Sequence, residues 1–249
     1  MTEAEKTRIV TLSPLDEERF GIKSARATIN TAADFPEVLE FCRAEGVVFL
    51  IARCPTGNSE TVHLMEQNGF KLMDTLVYYD RDLTNTPLPP VPNNITVGTL
   101  RAGEEREVEK VAAKAFQNFV GHYHTDPRLD KRKADEVYSS WAMRCCASRK
   151  VAEVVIIAKY DGKIVGFYAL KLTPDRVVEG VLAGVDPSAQ GLKVGRALIT
   201  GGLEWGLAAG APGMSIATQL INTKMQRVLL NLRFEPVASF YTFHKWFDE

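Results

Sequence analysis

One pattern occurs twice in this chain. An apolar strand, Phe49 to Ala52, leads to Asn58, a helix closed by Gly69-Phe70, and a second strand from Met73 to Tyr79. Much later, Met214 to Ala217 leads to Asn222, a helix closed by Arg233-Phe234, and a strand from Val237 to Phe243. The spacing from Asn to Phe is twelve residues in both. Asn caps helices because its side-chain oxygen accepts an amide that the first turn leaves unpaired. Strand–helix–strand units are common, but here the cap and the aromatic recur at the same places, so we read a structural repeat. Such a chain must bury helix faces on sheet, which makes the fold α/β with a mixed sheet.

The clearest break between the copies is Thr84 to Asn94, TNTPLPPVPNN, whose four prolines deny backbone donors to helix and sheet. We read 1–83 as one region, 84–94 as a linker and 95–249 as a second, larger region. In the larger region, Ile95 to Arg101 reads as a short strand and Glu104 to Phe116 as a helix with Val108, Val111, Ala112 and Ala115 on one face. Asp130 is a candidate cap for a helix over Lys131 to Ala147. Val154 to Tyr160 and Lys163 to Leu172 flank Asp161-Gly162, a strong two-residue hairpin signal. A strand over Arg176 to Val185, a helix over Val194 to Ala208 and a helix over Asn222 to Leu232 complete the reading.

Charge and composition narrow the function. With Lys+Arg 30 against Asp+Glu 31, the net charge of −1 argues against nucleic acid as the main partner. No apolar run approaches the roughly 18 residues of a membrane span, and the opening MTEAEKTRIV lacks the apolar core of a secretory signal. Cys42, Cys54, Cys145 and Cys146 form no C-x-x-C pair, so they read as reduced thiols of a cytoplasmic protein. His122-Tyr123-His124 hints at metal, but no further ligand cluster supports it, and no metal is expected.

The segment that carries chemistry is Val181 to Leu198, VLAGVDPSAQGLKVGRAL. A strand stops at Val185-Asp186-Pro187, and a loop holding Gly191 opens a helix with Gly195 in its first turn. Backbone amides at a helix mouth bind phosphate without a basic side chain, and Lys193 and Arg196 add charge. G-x-G-x-x-G and G-x-x-x-x-G-K-[ST] are both absent, which disfavours dinucleotide and nucleoside-triphosphate folds.

This segment resembles the acyl-CoA loop of the Gcn5-related N-acetyltransferases (GNAT): a strand, V-x-P, Q/R-x-x-G-x-G/A, then a helix. Here the pattern reads Val185, Asp186, Pro187, Gln190, Gly191, Leu192, Lys193, Val194, Gly195, with Lys193 where the family usually has Gly. The distal strand, Asn222, helix and Phe234 fit the same resemblance. Four further segments (LDEERFGIKSARATI, HLMEQNGF, AFQNFVGHYHTDPRLDKRKADEVYSSW and IATQLINTKMQRVLL) resemble the dTDP-fucosamine acetyltransferase group. That group N-acylates nucleotide-linked amino sugars for surface polysaccharide, including lipopolysaccharide O-antigen. The resemblance implies a GNAT domain preceded by a half-GNAT-like domain.

It also implies roles. Leu182, Ala183, Gly184 and Val185 would line the pantetheine arm where two central strands splay, with Gly184 marking a bulge that opens the gap. Gln190, Gly191, Leu192, Lys193, Val194, Gly195 and Arg196 would hold the pyrophosphate, and Thr218 and Asn222 would touch the cofactor. The Val185 N–H would polarise the thioester carbonyl, and Glu179 is a candidate base or a solvated carboxylate. The family often protonates the leaving thiolate with a Tyr seven residues after the capping Asn; here that position is Leu229. The expected chemistry is direct attack of the amine, helped mainly by proximity. His122, Tyr123 and His124 would border the sugar pocket or form a packed loop; Asp126 and Arg128 would hold the nucleotide diphosphate or pair with each other.

The expected function is N-acyl transfer from acyl-CoA to a dTDP-amino sugar. Transfer to a protein N-terminus or small amine, and a non-catalytic acyl-CoA sensor, are the alternatives. The aromatic, apolar stretch Phe240 to Phe247 suggests a homodimer paired strand to strand across a two-fold axis.

Overall fold

A computed structural model describes residues 9–85 and 87–248. Part of the N-terminal stretch read for a signal, and Thr86 within the proline-rich stretch, lie outside the described residues. The chain divides into two compact units, each assembled from separate stretches. One gathers the described residues through Val77, Val120–Ala134 and those from Ala238 onward; the other gathers Tyr78–Phe119 and Asp135–Val237. Of the four divisions, two fall inside long strands, one inside a helix and one in a loop; the 84–94 stretch contains no helix or strand among its described residues.

The first unit uses strands β1 (Val10–Leu12), β2 (Ser24–Thr28) and β3 (Phe49–Pro55), and helices α1 (Pro14–Phe20), α2 (Phe35–Glu45) and α3 (Ser59–Gln67). Strand β4 (Lys71–Asp82) begins here and ends in the second unit. The second unit continues with β5 (Thr96–Thr99) and α4 (Glu105–Ala115); α5 (His122–Thr125) belongs to the first unit, and α6 (Lys131–Ala147) begins there. Then follow β6 (Val154–Tyr160), β7 (Lys163–Leu172), β8 (Val178–Val185), α7 (Val194–Ala208), β9 (Gly213–Gln219) and α8 (Thr223–Asn231). Strand β10 (Glu235–Trp246) starts in the second unit and ends in the first.

In the first unit the strand order is β1-β2-β3-β10, with β2 and β3 parallel and the other pairs antiparallel. Alternation puts Ala25, Ala27, Leu50, Ala52, Cys54 and Phe243 in one core with Val38, Cys42 and Met65 of the helices. In the second unit the order is β4-β9-β8-β7-β6-β5, and β8–β9 is a parallel pair. Both units are mixed α/β, as the sequence predicts. The hairpin turn is where the sequence places it, with Asp161 at φ 48° and Gly162 at φ 76°, both on the positive side that a tight two-residue turn demands.

The repeat is visible in geometry. Asn58 accepts from the Thr61 amide at 3.2 Å, and Asn222 accepts from the Met225 amide at 3.2 Å. Gly69 and Arg233 close their helices in the left-handed region, at φ 74° and 61°. Phe70 then donates its amide to the Met65 carbonyl and Phe234 to the Leu229 carbonyl, each at 3.0 Å.

The strand-to-strand pairing expected of Phe240 to Phe247 across a two-fold axis is taken up within the chain. Strand β10 pairs with β3 of the same chain, from Phe240↔Pro55 to Trp246↔Phe49, and β4 is its other neighbour. Its backbone edges are already used, so it has none to offer a second copy.

Candidate active site

The site is built entirely from the second unit. Strands β8 and β9 pair only at Val178↔Met214 and Glu179↔Ser215; beyond that both run on without ladder partners in each other. This is the splay expected around the acyl group. The Asp186 amide donates to the Val165 carbonyl of β7 at 2.8 Å. Successive amides of a strand point to opposite edges, so those of Val185 and Ala183 face the diverging β9 side. The gap is thus lined by the backbone N–H groups of Ala183 and Val185.

The bulge lies elsewhere than expected. The β7–β8 register shifts between Ala169↔Leu182 and Leu170↔Gly180, leaving Val181 as the extra residue. Gly184 is needed for packing instead: a Cβ there would come within 2.6 Å of Phe167 and 3.3 Å of Ala115. Glycines also let α7 approach the sheet. A Cβ at Gly201 would meet Val97 at 2.5 Å, and one at Gly202 would meet Leu170 at 3.1 Å.

The loop from Asp186 to Lys193 turns sharply into α7. The Asp186 carboxylate accepts from the Ser188 amide at 2.9 Å and from Lys114 of α4 at 2.8 Å. The Lys114 ammonium and the Ser188 donors hold the Asp186 carboxyl down at about 2. Gly191 sits at φ 87° and Lys193, the residue before α7, at φ 63°. The position where the family prefers Gly is therefore left-handed, and the lysine adopts it despite the steric cost of about 1–2 kcal/mol. No side chain caps α7, so its first amides remain available. A Cβ at Gly195 would meet nothing within 4 Å. Gln190, Gly191 and Lys193 are exposed, and Leu192 and Arg196 are partly buried. This geometry fits a pyrophosphate.

On β9 and α8, Asn222 caps the helix and also donates to the Thr218 hydroxyl at 3.2 Å. Leu229 is fully buried, so the missing tyrosine is replaced by core rather than by another polar group at that position. Glu179 is partly exposed and pairs with Lys171 at 3.2 Å across the β7–β8 ladder.

The residues expected at the sugar belong to the first unit. Asp126 is buried and accepts from His244 Nδ1 at 2.7 Å, Trp246 Nε1 at 3.0 Å and the Arg128 amide at 2.9 Å. His244 Nε2 meets His122 Nδ1 at 2.8 Å. The Tyr123 hydroxyl donates to Asp16 at 2.7 Å and accepts from Arg26 at 2.5 Å. His124 Nδ1 accepts from the Gly121 amide at 3.1 Å. Arg128 donates to both carboxylate oxygens of Asp248 and lies over Trp246 at 3.9 Å. Asp126 thus orders a network of side chains, and the Arg128 guanidinium pairs with Asp248. Sequence reasoning missed His244, Trp246, Asp16 and Arg26, which come from distant stretches.

All four cysteines are free thiols, and burial pushes them up, Cys145 to about 12 and the others to about 11. Among the described residues, no helix is long and apolar enough to cross a membrane.

Comparison with known proteins agrees with this geometry. Residues 114–232 match the family described as "Acetyltransferase (GNAT) family". The chain is 23% identical over 203 residues to the spore coat polysaccharide biosynthesis protein SpsD of Bacillus subtilis, covering 80% of this chain and 66% of that protein. It is 28% identical over 179 residues to the mycothiol acetyltransferase of Thermomonospora curvata, covering 70% of this chain and 56% of the relative. The chain therefore spans between half and two thirds of the curated relatives it matches first. A GCN5-related N-acetyltransferase structure from Sphaerobacter thermophilus superposes with a TM-score of 0.68 at 14% identity, over 95% of this chain and 76% of that one. The splayed parallel strands, the glycine-bearing helix mouth and the family match together place residues 114–232 in the Gcn5-related N-acetyltransferase superfamily.

Proposed function

We propose that this protein transfers an acyl group from acyl-CoA to the amine of a nucleotide-linked amino sugar. The observation that carries the acyl-CoA half is the β8–β9 splay, which opens beside the amides of Ala183 and Val185 and leads to the open mouth of α7. Acyl-CoA supplies an activated thioester. Gly191, Lys193, Val194, Gly195 and Arg196 hold its pyrophosphate, while Leu182 to Val185 align the pantetheine arm.

The amine attacks the thioester carbon, the C–N bond forms and the C–S bond breaks. A backbone amide of β8 facing the gap, that of Val185 or of Ala183 nearer the acyl end, stabilises charge on the carbonyl oxygen. Glu179 takes the amine proton through water, and the thiolate leaves without a positioned acid, since Leu229 offers none. We read the unit built on the N-terminal stretch as a half copy of the fold that no longer binds cofactor. The sugar half rests on the resemblance and on the name of the spore coat polysaccharide relative.

The relatives named mycothiol acetyltransferase support a second reading, a different small amine as acceptor. The deciding experiment mixes the protein with acetyl-CoA and, in separate arms, a dTDP-amino sugar and simple amines, and follows release of free thiol. Release with the nucleotide sugar alone supports the first reading. Release with simple amines alone supports the second. Binding of acetyl-CoA without release in any arm would leave the protein a sensor.

A further inference from the structure

The apex of the splay holds a polar group that the mechanism above does not use. Tyr168 of β7 is among the largest fully buried side chains, and its hydroxyl has no hydrogen-bond partner. Burial raises its pKa well above the usual phenol range, so it stays a neutral donor. The ring passes under α7, where a Cβ at Gly202 would lie 3.3 Å from it. Its hydroxyl ends against Gly180, where any Cβ would overlap it.

Gly180 is the first residue of β8 after the last one paired with β9. It also borders the bulge at Val181. The position has two sides. Lys171↔Glu179 and Leu170↔Gly180 are neighbouring pairs, so their side chains point to opposite faces of the sheet. The point where pairing ends is thus flanked by the Glu179 carboxylate on one face and the Tyr168 hydroxyl on the other.

On the reading given above, the cofactor enters from the loop after Val185 and runs back along β8. Its acyl end therefore approaches Gly180. A buried hydroxyl left unpaired is costly in the free protein, and a ligand oxygen arriving there removes that cost. We propose that Tyr168 binds the acyl group by donating a hydrogen bond to one of its oxygens. That oxygen is either the thioester carbonyl or one further along the chain. The proposal rests on the acyl-CoA reading of the site.

The test is Tyr168→Phe, which removes one oxygen and keeps the ring. Binding of free coenzyme A, acetyl-CoA, butyryl-CoA and 3-hydroxybutyryl-CoA is measured by calorimetry, with thermal unfolding of the free variant alongside. Free coenzyme A should bind the variant as it binds the parent, and the unliganded variant should be at least as stable. Loss of roughly tenfold in affinity for all three thioesters assigns the carbonyl. The same loss for 3-hydroxybutyryl-CoA alone assigns a chain oxygen. Unchanged affinity for every thioester, with coenzyme A still bound, overturns the role of Tyr168. Failure of the parent to bind coenzyme A at all overturns the acyl-CoA reading instead.

Discussion

Lowering the pH should weaken the first unit through His122, and the size of the effect can be worked out. Burial comes first among the causes that hold His122 well below its ordinary value, followed by the charges of His244, Arg26, Arg53 and His124. His244 is also lowered by burial, with the Asp126 hydrogen bond opposing the shift. Asp126 itself is lowered: its bonds from His244, Arg128 and Trp246 outweigh burial. An ionised Asp126 fixes the proton on His244 Nδ1. His244 Nε2 then accepts, and His122 Nδ1 must donate. A further proton on either ring can enter only by breaking this order or by charging a buried imidazole.

The sign follows directly. An imidazole lowered in the folded state binds fewer protons there than in the unfolded chain. Stability is therefore intact above the unfolded value and falls as pH drops below it, until the folded group also titrates. With an unfolded pKa near 6.5, one histidine that stays neutral when folded loses about 1.4 kcal/mol of stability between pH 7.5 and 5.5. For a chain of this size that is a fall of about 3–5 °C in Tm. The assay is urea unfolding of the parent and of His122→Gln at both pH values. The variant should be less stable at pH 7.5 but lose about 1 kcal/mol less on acidification. An identical pH dependence in the two proteins would refute the buried-neutral assignment of His122.

Three further outcomes follow from the same geometry. Leu229→Ala should cost about 2–5 kcal/mol because the side chain is fully buried, measured by denaturant unfolding, while activity of the folded fraction falls by less than about a thousandfold, as expected of a core residue. Asn58→Ala and Asn222→Ala should each cost about 1 kcal/mol, since each removes the same cap bond; unequal losses of more than about twofold would deny that the caps are equivalent. Calorimetric titration should give one coenzyme A per chain, and Asp34→Ala should leave that stoichiometry unchanged.

Much of the second unit was legible because its signals are local. The hairpin at Asp161-Gly162 and the helices over 131–147 and 194–208 keep the limits read from the sequence. Proline, glycine and capping residues impose their conformations wherever they stand. The early stretch was less legible: β1 and β2 are only three and five residues long, too short for a periodic signal. Long-range pairing was hidden as well. Nothing in the apolar pattern of Phe240 to Phe247 says that its partner is β3 rather than a second molecule. The partners of the histidines were hidden for the same reason. His122 and Asp126 look like pocket residues when their neighbours are read along the chain, whereas His244 and Trp246 arrive only through folding. Tyr168 had no signal at all, because an aromatic in an apolar strand reads as core.

On the proposed reading, the two parallel strand pairs explain why one repeat would take acyl-CoA and its echo would not. In the first unit, β2 and β3 stay paired over five residues from Ser24↔Phe49 to Thr28↔Arg53, and the Ile29 amide extends the contact to the Arg53 carbonyl. No gap opens for a pantetheine arm. The next turn closes the other half of the site. Asp34 accepts from the amides of Asn30 and Thr31, both at 2.9 Å, so a carboxylate of the chain itself takes donors that a phosphate would need. In the second unit the equivalent stretch gives its acidic group, Asp186, to Lys114 and Ser188 and leaves the helix mouth open. Replacing Asp34 frees two amides but does not part β2 from β3. That is why the substitution should not create a second cofactor site: the phosphate grip and the strand gap are separate requirements, and only the second repeat meets both.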